Sequence, residues 1–273
     1  MITEFENYLI SVKGYSQHTA TAYGKDVRAF AHYVRETREN ARWSTIGREE
    51  VDGFMAKMTA EGKTPATINR HVSSIRAIYR YFIRQGLMKT NPMRYASRKK
   101  QEKKQPRTIP TEDLVTATEH ASGTLRIMLL ILCTTGCRIQ EMLDINAHDI
   151  NQEEQTIIIH GKGKKERKVF ATPEELKEIK AYAEGRPGKI FGDIDQRTVR
   201  HYIWEHLKRY SSAPQLSPHA IRHTLATNMA KHGANVTTIS KLLGHENIST
   251  TQKYIDMSQQ DIKAAAMNYR ILN

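Results

Sequence analysis

Residues 97–107 read Ser-Arg-Lys-Lys-Gln-Glu-Lys-Lys-Gln-Pro-Arg, and this stretch divides the chain. It contains no apolar residue, and Pro106 lies near its end. Such a segment is typical of a linker rather than of a packed helix or strand. Because 273 residues are enough for two domains, we predict a first domain over 1–95, a linker over 96–109 and a second domain over 110–273.

The linker also holds the densest positive charge of a basic chain, whose net charge is +13. Residues 96–108 contain 6 Lys/Arg against 1 Asp/Glu, whereas residues 1–95 contain 15 against 9 and residues 109–273 contain 21 against 19. A dispersed excess would indicate solubility alone, but this density favours contact with the phosphates of an anionic polymer. The linker lysines expected to make such contacts are Lys99, Lys100, Lys103 and Lys104.

Other features of the composition exclude several classes of protein. Cys133 and Cys137 are the only cysteines, too few for a disulfide framework or a four-ligand zinc site, and they fit a reducing compartment. No stretch reaches the roughly 18 to 20 consecutive apolar residues of a membrane span, and the N-terminal Met-Ile-Thr-Glu-Phe-Glu is not a secretion signal. The sequence therefore predicts a cytoplasmic protein that has no contact with a membrane.

Before the linker, apolar residues recur at helical spacing and predict about four helices. One helix follows a capping Ser16, and the longest begins at Thr64-Pro65, an N-cap with proline at the first helical position, and ends near Gly86. This longest helix also carries four arginines, which taken alone fit a phosphate-contacting face and a solvated face equally well. They are Arg70, Arg76, Arg80 and Arg84.

After the linker, helical segments surround one short hairpin. A largely apolar helix over 125–134 runs toward Gly136, and the next helix begins near Arg138. The β-rich residues 155–160 and 168–171 flank Gly-Lys-Gly-Lys-Lys-Glu-Arg and predict a hairpin. Further helices are expected at about 173–184, 195–210, 218–232, 235–243, 248–254 and 258–269. The predicted fold class is therefore mainly α, with a small antiparallel sheet in the second domain.

Polar residues that can act on a phosphate are spread over the second domain. Arg138 lies in Thr-Gly-Cys-Arg-Ile-Gln-Glu, and His219 and Arg222 form His-x-x-Arg. His245 ends Leu-Leu-Gly-His, nine residues before Tyr254. The order and spacing of these motifs resemble the tyrosine recombinases, also called the phage integrase family, and the resemblance extends over nearly the whole chain.

This resemblance implies both a fold and an activity. The first domain would be a helical, SAM-like core-binding domain that clamps one side of a DNA duplex, which favours DNA contact by the four arginines. The second would have the mostly α catalytic fold of the family. The activity would be site-specific recombination of double-stranded DNA without metal, ATP or another cofactor. A small-molecule substrate is not expected.

The expected chemistry needs cations, a nucleophile and an acid. The pentacoordinate transition state at phosphorus is anionic, and guanidinium groups suit it because they stay charged and bind oxygens bidentately. Arg138 and Arg222 are the candidates. Tyr254 would be the nucleophile that forms a 3′-phosphotyrosine, and Lys162 in the hairpin turn would protonate the leaving 5′ oxygen.

Other residues would support these groups. His219 and His245 can each donate a hydrogen bond to a nonbridging phosphate oxygen. Glu141 lies one helical turn from Arg138, where it can form an ion pair. His223 would be a support on the same helix as His219. We do not expect these two histidines to bind zinc, because no third ligand is nearby.

The resemblance also implies an assembly. A dimer would occupy each DNA site and a homotetramer would join two sites, with the tail helix over 258–269 docked on a neighbouring protomer; packing on its own domain is the alternative. Two other functions stay open, a type IB topoisomerase and a DNA-binding protein that does not cleave. In the hairpin turn, Lys164 and Lys165 stay open as alternatives to Lys162.

Overall fold

The structure is a computed structural model that describes residues 1–100, 107–161 and 165–244. The chain separates into two compact units, Met1–Lys103 and Lys104–Asn273, and the division falls inside the predicted linker. Both units are mainly helical, and the described strands all belong to the second unit. The predicted fold class is thereby confirmed.

In the first unit, the described residues form four helices, as the sequence predicts. They are α1 (Ile2–Ser11), α2 (Gln17–Thr37), α3 (Arg48–Ala60) and α4 (Pro65–Arg84). The predicted caps explain where two of them begin. Ser16 accepts a hydrogen bond from the Thr19 amide at 3.2 Å, and Thr64 does the same for Thr67 at 3.3 Å, with Pro65 at the first helical position of α4.

An aromatic core holds these helices together. The rings of Phe30 and Phe54 lie 5.3 Å apart between centroids, and those of Trp43 and Phe82 lie 5.4 Å apart. Helix α4 was predicted to be the longest of the four, but α2 has 21 residues and α4 has 20. Helix α4 nevertheless contributes the most buried residues of the four, since its apolar residues recur at helical spacing. Each fully buried side chain of this kind stabilises the fold by about 1.5–3 kcal/mol. The buried apolar stripe of α4 consists of Ile68, Val72, Ile75, Ile78, Tyr79 and Phe82.

The ends of the predicted linker are packed against the units. In the first unit, Arg76 on α4 donates to the Ala96 carbonyl at 2.9 Å. In the second unit, Ile109 is fully buried and its amide donates to Thr224 Oγ1 at 2.9 Å. The ordered packing of each unit therefore extends into 96–109.

In the second unit, the described residues form seven helices. They are α5 (Thr111–Glu119), α6 (Gly123–Thr135), α7 (Ile139–Leu143), α8 (Pro173–Ala183), α9 (Gln196–Leu207), α10 (Pro218–Lys231) and α11 (Val236–Leu243). Helix α9 ends three residues before the predicted 195–210, because residues 208–210 form a turn. The helices predicted over 248–254 and 258–269 lie outside the described residues. None of the described helices is long and apolar enough to span a membrane.

A three-stranded antiparallel sheet contains the predicted hairpin. Its strands are β1 (Ile150–Asn151), β2 (Thr156–His160) and β3 (Glu166–Phe170), in the order β1-β2-β3. Strand β3 begins two residues earlier than predicted, since Glu166 pairs with His160 across the turn. Strand β1 was not predicted, because two residues are too short for any periodicity to be visible.

The turn after α6 brings three helices together. Gly136 ends α6 with a φ of 58°, in the left-handed region. A Cβ at this position would lie 2.7 Å from Leu243 Cδ2 on α11 and 2.8 Å from Leu225 Cδ2 on α10. Only glycine fits here, and the close packing brings the start of α7 near the end of α11.

Candidate functional site

Arg138 occupies the N-cap position of α7, beside the Gly136 turn. Its backbone amide donates to Glu141 Oε2 at 2.9 Å, and its Nη1 donates to Glu141 Oε1 at 2.6 Å. Its Nη2 lies 3.3 Å from the Gly244 carbonyl, which follows α11. About half of the side chain is exposed. The guanidinium is thus held from one side and open to solvent on the other.

Arg222 is buried on α10, with 2 % of its surface exposed. Its Nη1 donates to the Gly136 carbonyl at 2.7 Å, and its Nη2 donates to the Leu243 carbonyl at 2.7 Å. These acceptors are carbonyls at the ends of α6 and α11, where the helices leave carbonyls unpaired. Arg222 therefore joins the turn before Arg138 to the segment that ends at Gly244.

Arg167 on β3 is a third arginine in the same place, and sequence reasoning missed it. Its Nη2 donates to Glu141 Oε2 at 2.7 Å and its Nε donates to the Leu242 carbonyl at 2.8 Å. Only 13 % of its side chain is exposed. A signal was present in the sequence, since Arg167 lies two residues before the buried Val169 and shares its face of the strand.

Glu141 is the acceptor that two of these arginines share. It is buried, with 7 % of its side chain exposed. Burial alone would raise its pKa, but the hydrogen bonds from Arg167 and from Arg138 outweigh burial and hold the pKa below its ordinary value of 4.5. Glu141 therefore stays ionised near neutral pH and fixes the orientation of both guanidinium groups.

The hairpin turn is closed at its base. The Gly161 amide donates to the Lys165 carbonyl at 2.7 Å, and Lys165 is exposed. Lys162 and Lys164 lie between them, outside the described residues. The choice between these lysines as the acid stays a prediction.

His160, at the end of β2, binds two carboxylates beside this turn. Its Nε2 lies 2.8 Å from Asp149 Oδ1, and its Nδ1 lies 3.2 Å from Glu166 Oε1. The hydrogen bond with the buried Asp149 is the main cause that raises the pKa of His160 above 6.5. His160 thus links β2, β3 and the 3-10 turn Ala147–Asp149.

The other predicted groups are only partly described. His219 is exposed in the first turn of α10, and its ring centroid lies 4.3 Å from that of His223, one turn later. His245 and Tyr254 lie outside the described residues.

Burial raises the pKa of the Cys137 thiol, next to Arg138, to about 11, so this thiol is neutral and is no rival nucleophile.

The predicted DNA-contacting arginines of α4 differ in their partners. Arg70 forms an ion pair with the buried Asp26 at 2.8 Å, and Arg76 donates to backbone carbonyls. Arg80 is exposed, and Arg84 lies over an aromatic ring. Thus Arg80 is available to solvent, whereas Arg76 also has a structural role.

The predicted DNA-contacting lysines lie at the edge of the described segment. Lys99 is half-buried and Lys100 is exposed. Lys103 and Lys104 lie outside the described residues. Phosphate contact by these four lysines stays a prediction.

Two family models match the two parts of the sequence. The model of the phage integrase family matches residues 109–261, and the model of the phage integrase N-terminal SAM-like domain matches residues 2–86. The chain belongs to the phage integrase family. All six predicted catalytic residues fall within 109–261, and the four arginines of α4 fall within 2–86.

Two proteins named tyrosine recombinases are similar to this chain over nearly their whole length. Tyrosine recombinase XerD of Oceanobacillus iheyensis is 27% identical in an alignment of 288 positions, which covers 98% of this chain and 97% of that protein. Tyrosine recombinase XerC of Listeria innocua is 28% identical over 287 residues, covering 97% and 95%. The crystal structure of the XerH site-specific recombinase bound to palindromic difH substrate, a post-cleavage complex, has a TM-score of 0.78 at 18% identity, covering 97% of this chain and 84% of that one. This last likeness is one of fold.

Proposed function

We propose that this protein is a tyrosine-type site-specific DNA recombinase. It cleaves and rejoins DNA strands through a 3′-phosphotyrosine intermediate, with no metal or ATP. The observation that carries the proposal is the convergence of two guanidinium groups on adjacent residues. Arg222 binds the carbonyl of Leu243, and Arg138 binds that of Gly244. Two fixed cations side by side can neutralise a phosphate that gains negative charge as it reacts.

Each reacting group has a defined part in the step. The phenolic oxygen of Tyr254 attacks the phosphorus while its proton passes to solvent water, and the bond from phosphorus to the 5′ oxygen breaks. Lys162 gives a proton to that 5′ oxygen, and His219 and His245 donate hydrogen bonds to the nonbridging oxygens. The phosphotyrosine retains the energy of the broken bond. The 5′-hydroxyl of a second strand can therefore reverse the steps.

Arg167 and Glu141 take part by positioning. Glu141 accepts hydrogen bonds from Arg138 and Arg167, and Arg167 also reaches the Leu242 carbonyl. The β-hairpin, the start of α7 and the end of α11 are thereby held to each other. Arg138 needs this support because about half of its side chain faces solvent.

The substrate is double-stranded DNA, bound by a dimer at each site and by a homotetramer across two sites, in the cytoplasm. The relatives named tyrosine recombinases support recombination over a type IB topoisomerase. These relatives include both XerD and XerC, at 27% and 28% identity.

The experiment begins with DNA recovered from covalent adducts on the protein, whose sequence defines the target. Nicked suicide duplexes of that sequence should form an adduct with the wild type and none with Tyr254→Phe. Tyr202→Phe is the matched control, because Tyr202 is an exposed tyrosine of the same unit, and it should form adduct normally.

The other functions predict different results. Adduct with the Tyr254→Phe variant would overturn the assignment of the nucleophile. Absence of adduct with the wild type would indicate a DNA-binding protein. Relaxation of any supercoiled plasmid, without strand joining between two duplexes, would indicate a topoisomerase.

A further inference from the structure

A side-chain amide in the first unit binds the backbone where the basic segment begins. Asn69 on α4 donates through Nδ2 to the Lys99 carbonyl at 2.9 Å, and it accepts from the Lys99 amide through Oδ1 at 2.8 Å. The two residues are 30 positions apart. Because the backbone amide and carbonyl of Lys99 are both hydrogen-bonded to the Asn69 side chain, this residue is fixed against α4.

The paired backbone forms one wall of a surface hollow of about 410 Å³. Three of the lining residues are cations, and none is acidic. Ser73 is uncharged, and its hydroxyl donates to the Asn69 carbonyl at 2.9 Å. The charged groups that line the hollow are therefore the three cations. The lining residues are Ala66, Asn69, Arg70, Ser73, Arg98 and Lys99.

Arg70, the cation that α4 contributes, is oriented by an ion pair. Arg70 pairs with Asp26 at 2.8 Å, and Asp26 is buried and also accepts from Ser74 Oγ at 2.9 Å. About half of the Arg70 side chain stays exposed. One carboxylate therefore orients Arg70 and balances one charge, while Arg98 and Lys99 add two more charges at the same hollow.

Positive charge also extends along the neighbouring face of α4. The pKa of Arg76 is lowered, first by burial and then by the positive charges of Arg98 and Arg80. Like charges held this close favour binding of an anion, which relieves their repulsion.

We propose that this hollow binds one backbone phosphate of the DNA, and that Asn69 builds it by holding Lys99 beside α4. Guanidinium and ammonium groups that converge from two chain segments suit a phosphate, because they donate to several of its oxygens together. The inference rests on the proposed DNA-binding function and adds the place of one contact. Asn69 itself is uncharged, so its role is to position cations.

The test uses the salt dependence of binding to the target duplex. Each phosphate contact adds roughly 0.9 to the slope of log affinity against log salt. Asn69→Ala removes no charge, yet it should flatten the slope by about 1, as Arg98→Gln should. The double variant should flatten it no further, since both changes remove the same phosphate contact. Asn7→Ala, an exposed asparagine of the same unit, is the matched control and should leave the slope unchanged.

A second measurement locates the contact. Methylphosphonates replace the phosphates of the duplex one at a time, and neutralising the bound phosphate should weaken the wild type but not Asn69→Ala. Arg98 is exposed, so Arg98→Gln keeps the test valid if Asn69→Ala fails to fold. Unchanged slopes in both variants, with every methylphosphonate acting equally on wild type and variant, would overturn the proposal. Adduct formation by the wild type reports the proposed function separately, so either can fail alone.

Discussion

The shared carboxylate of Glu141 allows folding and catalysis to be separated. Glu141→Gln keeps the volume of the side chain but removes its charge, which leaves the guanidinium of Arg167, whose side chain is only 13 % exposed, without a counterion. Charge-assisted hydrogen bonds are worth about 1.5–3 kcal/mol each, and breaking a buried ion pair typically costs about 3–5 kcal/mol. We expect Glu141→Gln to lower the free energy of unfolding by about 2–4 kcal/mol. This range lies between the worth of one charge-assisted hydrogen bond and the cost of breaking a buried ion pair.

The double variant Glu141→Gln/Arg167→Met removes both charges of this pair. Replacing a buried ion pair by groups that need no counterion is often neutral or stabilising. The double variant should therefore lose less stability than the sum of the two single variants, with a coupling energy of about 1–3 kcal/mol between the two sites. Arg138, however, still lacks the carboxylate that orients it. A misplaced reacting group can cost about 10²-fold in rate, so cleavage should stay slow.

Urea unfolding and single-turnover cleavage of a suicide duplex measure the two quantities on the wild type, Glu141→Gln, Arg167→Met and the double variant. Glu178→Gln is the matched control, because the Arg126–Glu178 pair is more exposed and should contribute no more than about 1 kcal/mol. Cleavage at the wild-type rate in the double variant would refute the positioning role. A stability loss equal to the sum of the single losses would refute the coupling.

Three further predictions concern the catalytic cation, the hairpin and assembly. Arg222→Ala should slow adduct formation by at least about 10²-fold, as loss of an oxyanion donor does, while circular dichroism stays that of a folded protein; a rate within a few fold of wild type would contradict its catalytic role. His160→Gln should lose stability mainly in acid. Because the pKa of His160 is raised in the folded state, its contribution to the free energy of unfolding is complete below pH 6.5 and disappears as pH rises through the folded-state pKa. Urea unfolding at several pH values should therefore show a difference from wild type that shrinks toward alkaline pH. A constant difference would refute the mechanism. Deletion of 258–273 should weaken joining of two duplexes in a gel-shift assay more than binding to one; equal losses would favour packing of the tail on its own domain.

Several elements could be predicted because their causes are local. The hydroxyls of Ser16 and Thr64 accept hydrogen bonds from amides only three residues away, so short stretches of sequence determine where α2 and α4 begin. The apolar run over 125–134 lies in α6, whose residues Ile127, Met128, Leu129, Leu130, Ile131 and Leu132 are all buried. The order and spacing of the polar motifs also indicated the family, before any distance between them was known.

The tertiary structure decided the partners of those polar residues, because they come from distant parts of the chain. Arg222 looks like any surface arginine in its own helix, yet its acceptor at Gly136 lies 86 residues away and the side chain is buried. Arg167 acquires its role only when β3 packs beside Glu141 and the Leu242 carbonyl. Periodicity and capping report which face of an element is apolar and where the element begins. Which buried carbonyl or carboxylate meets a given guanidinium depends on the packing of whole helices, and that is settled only when the chain folds.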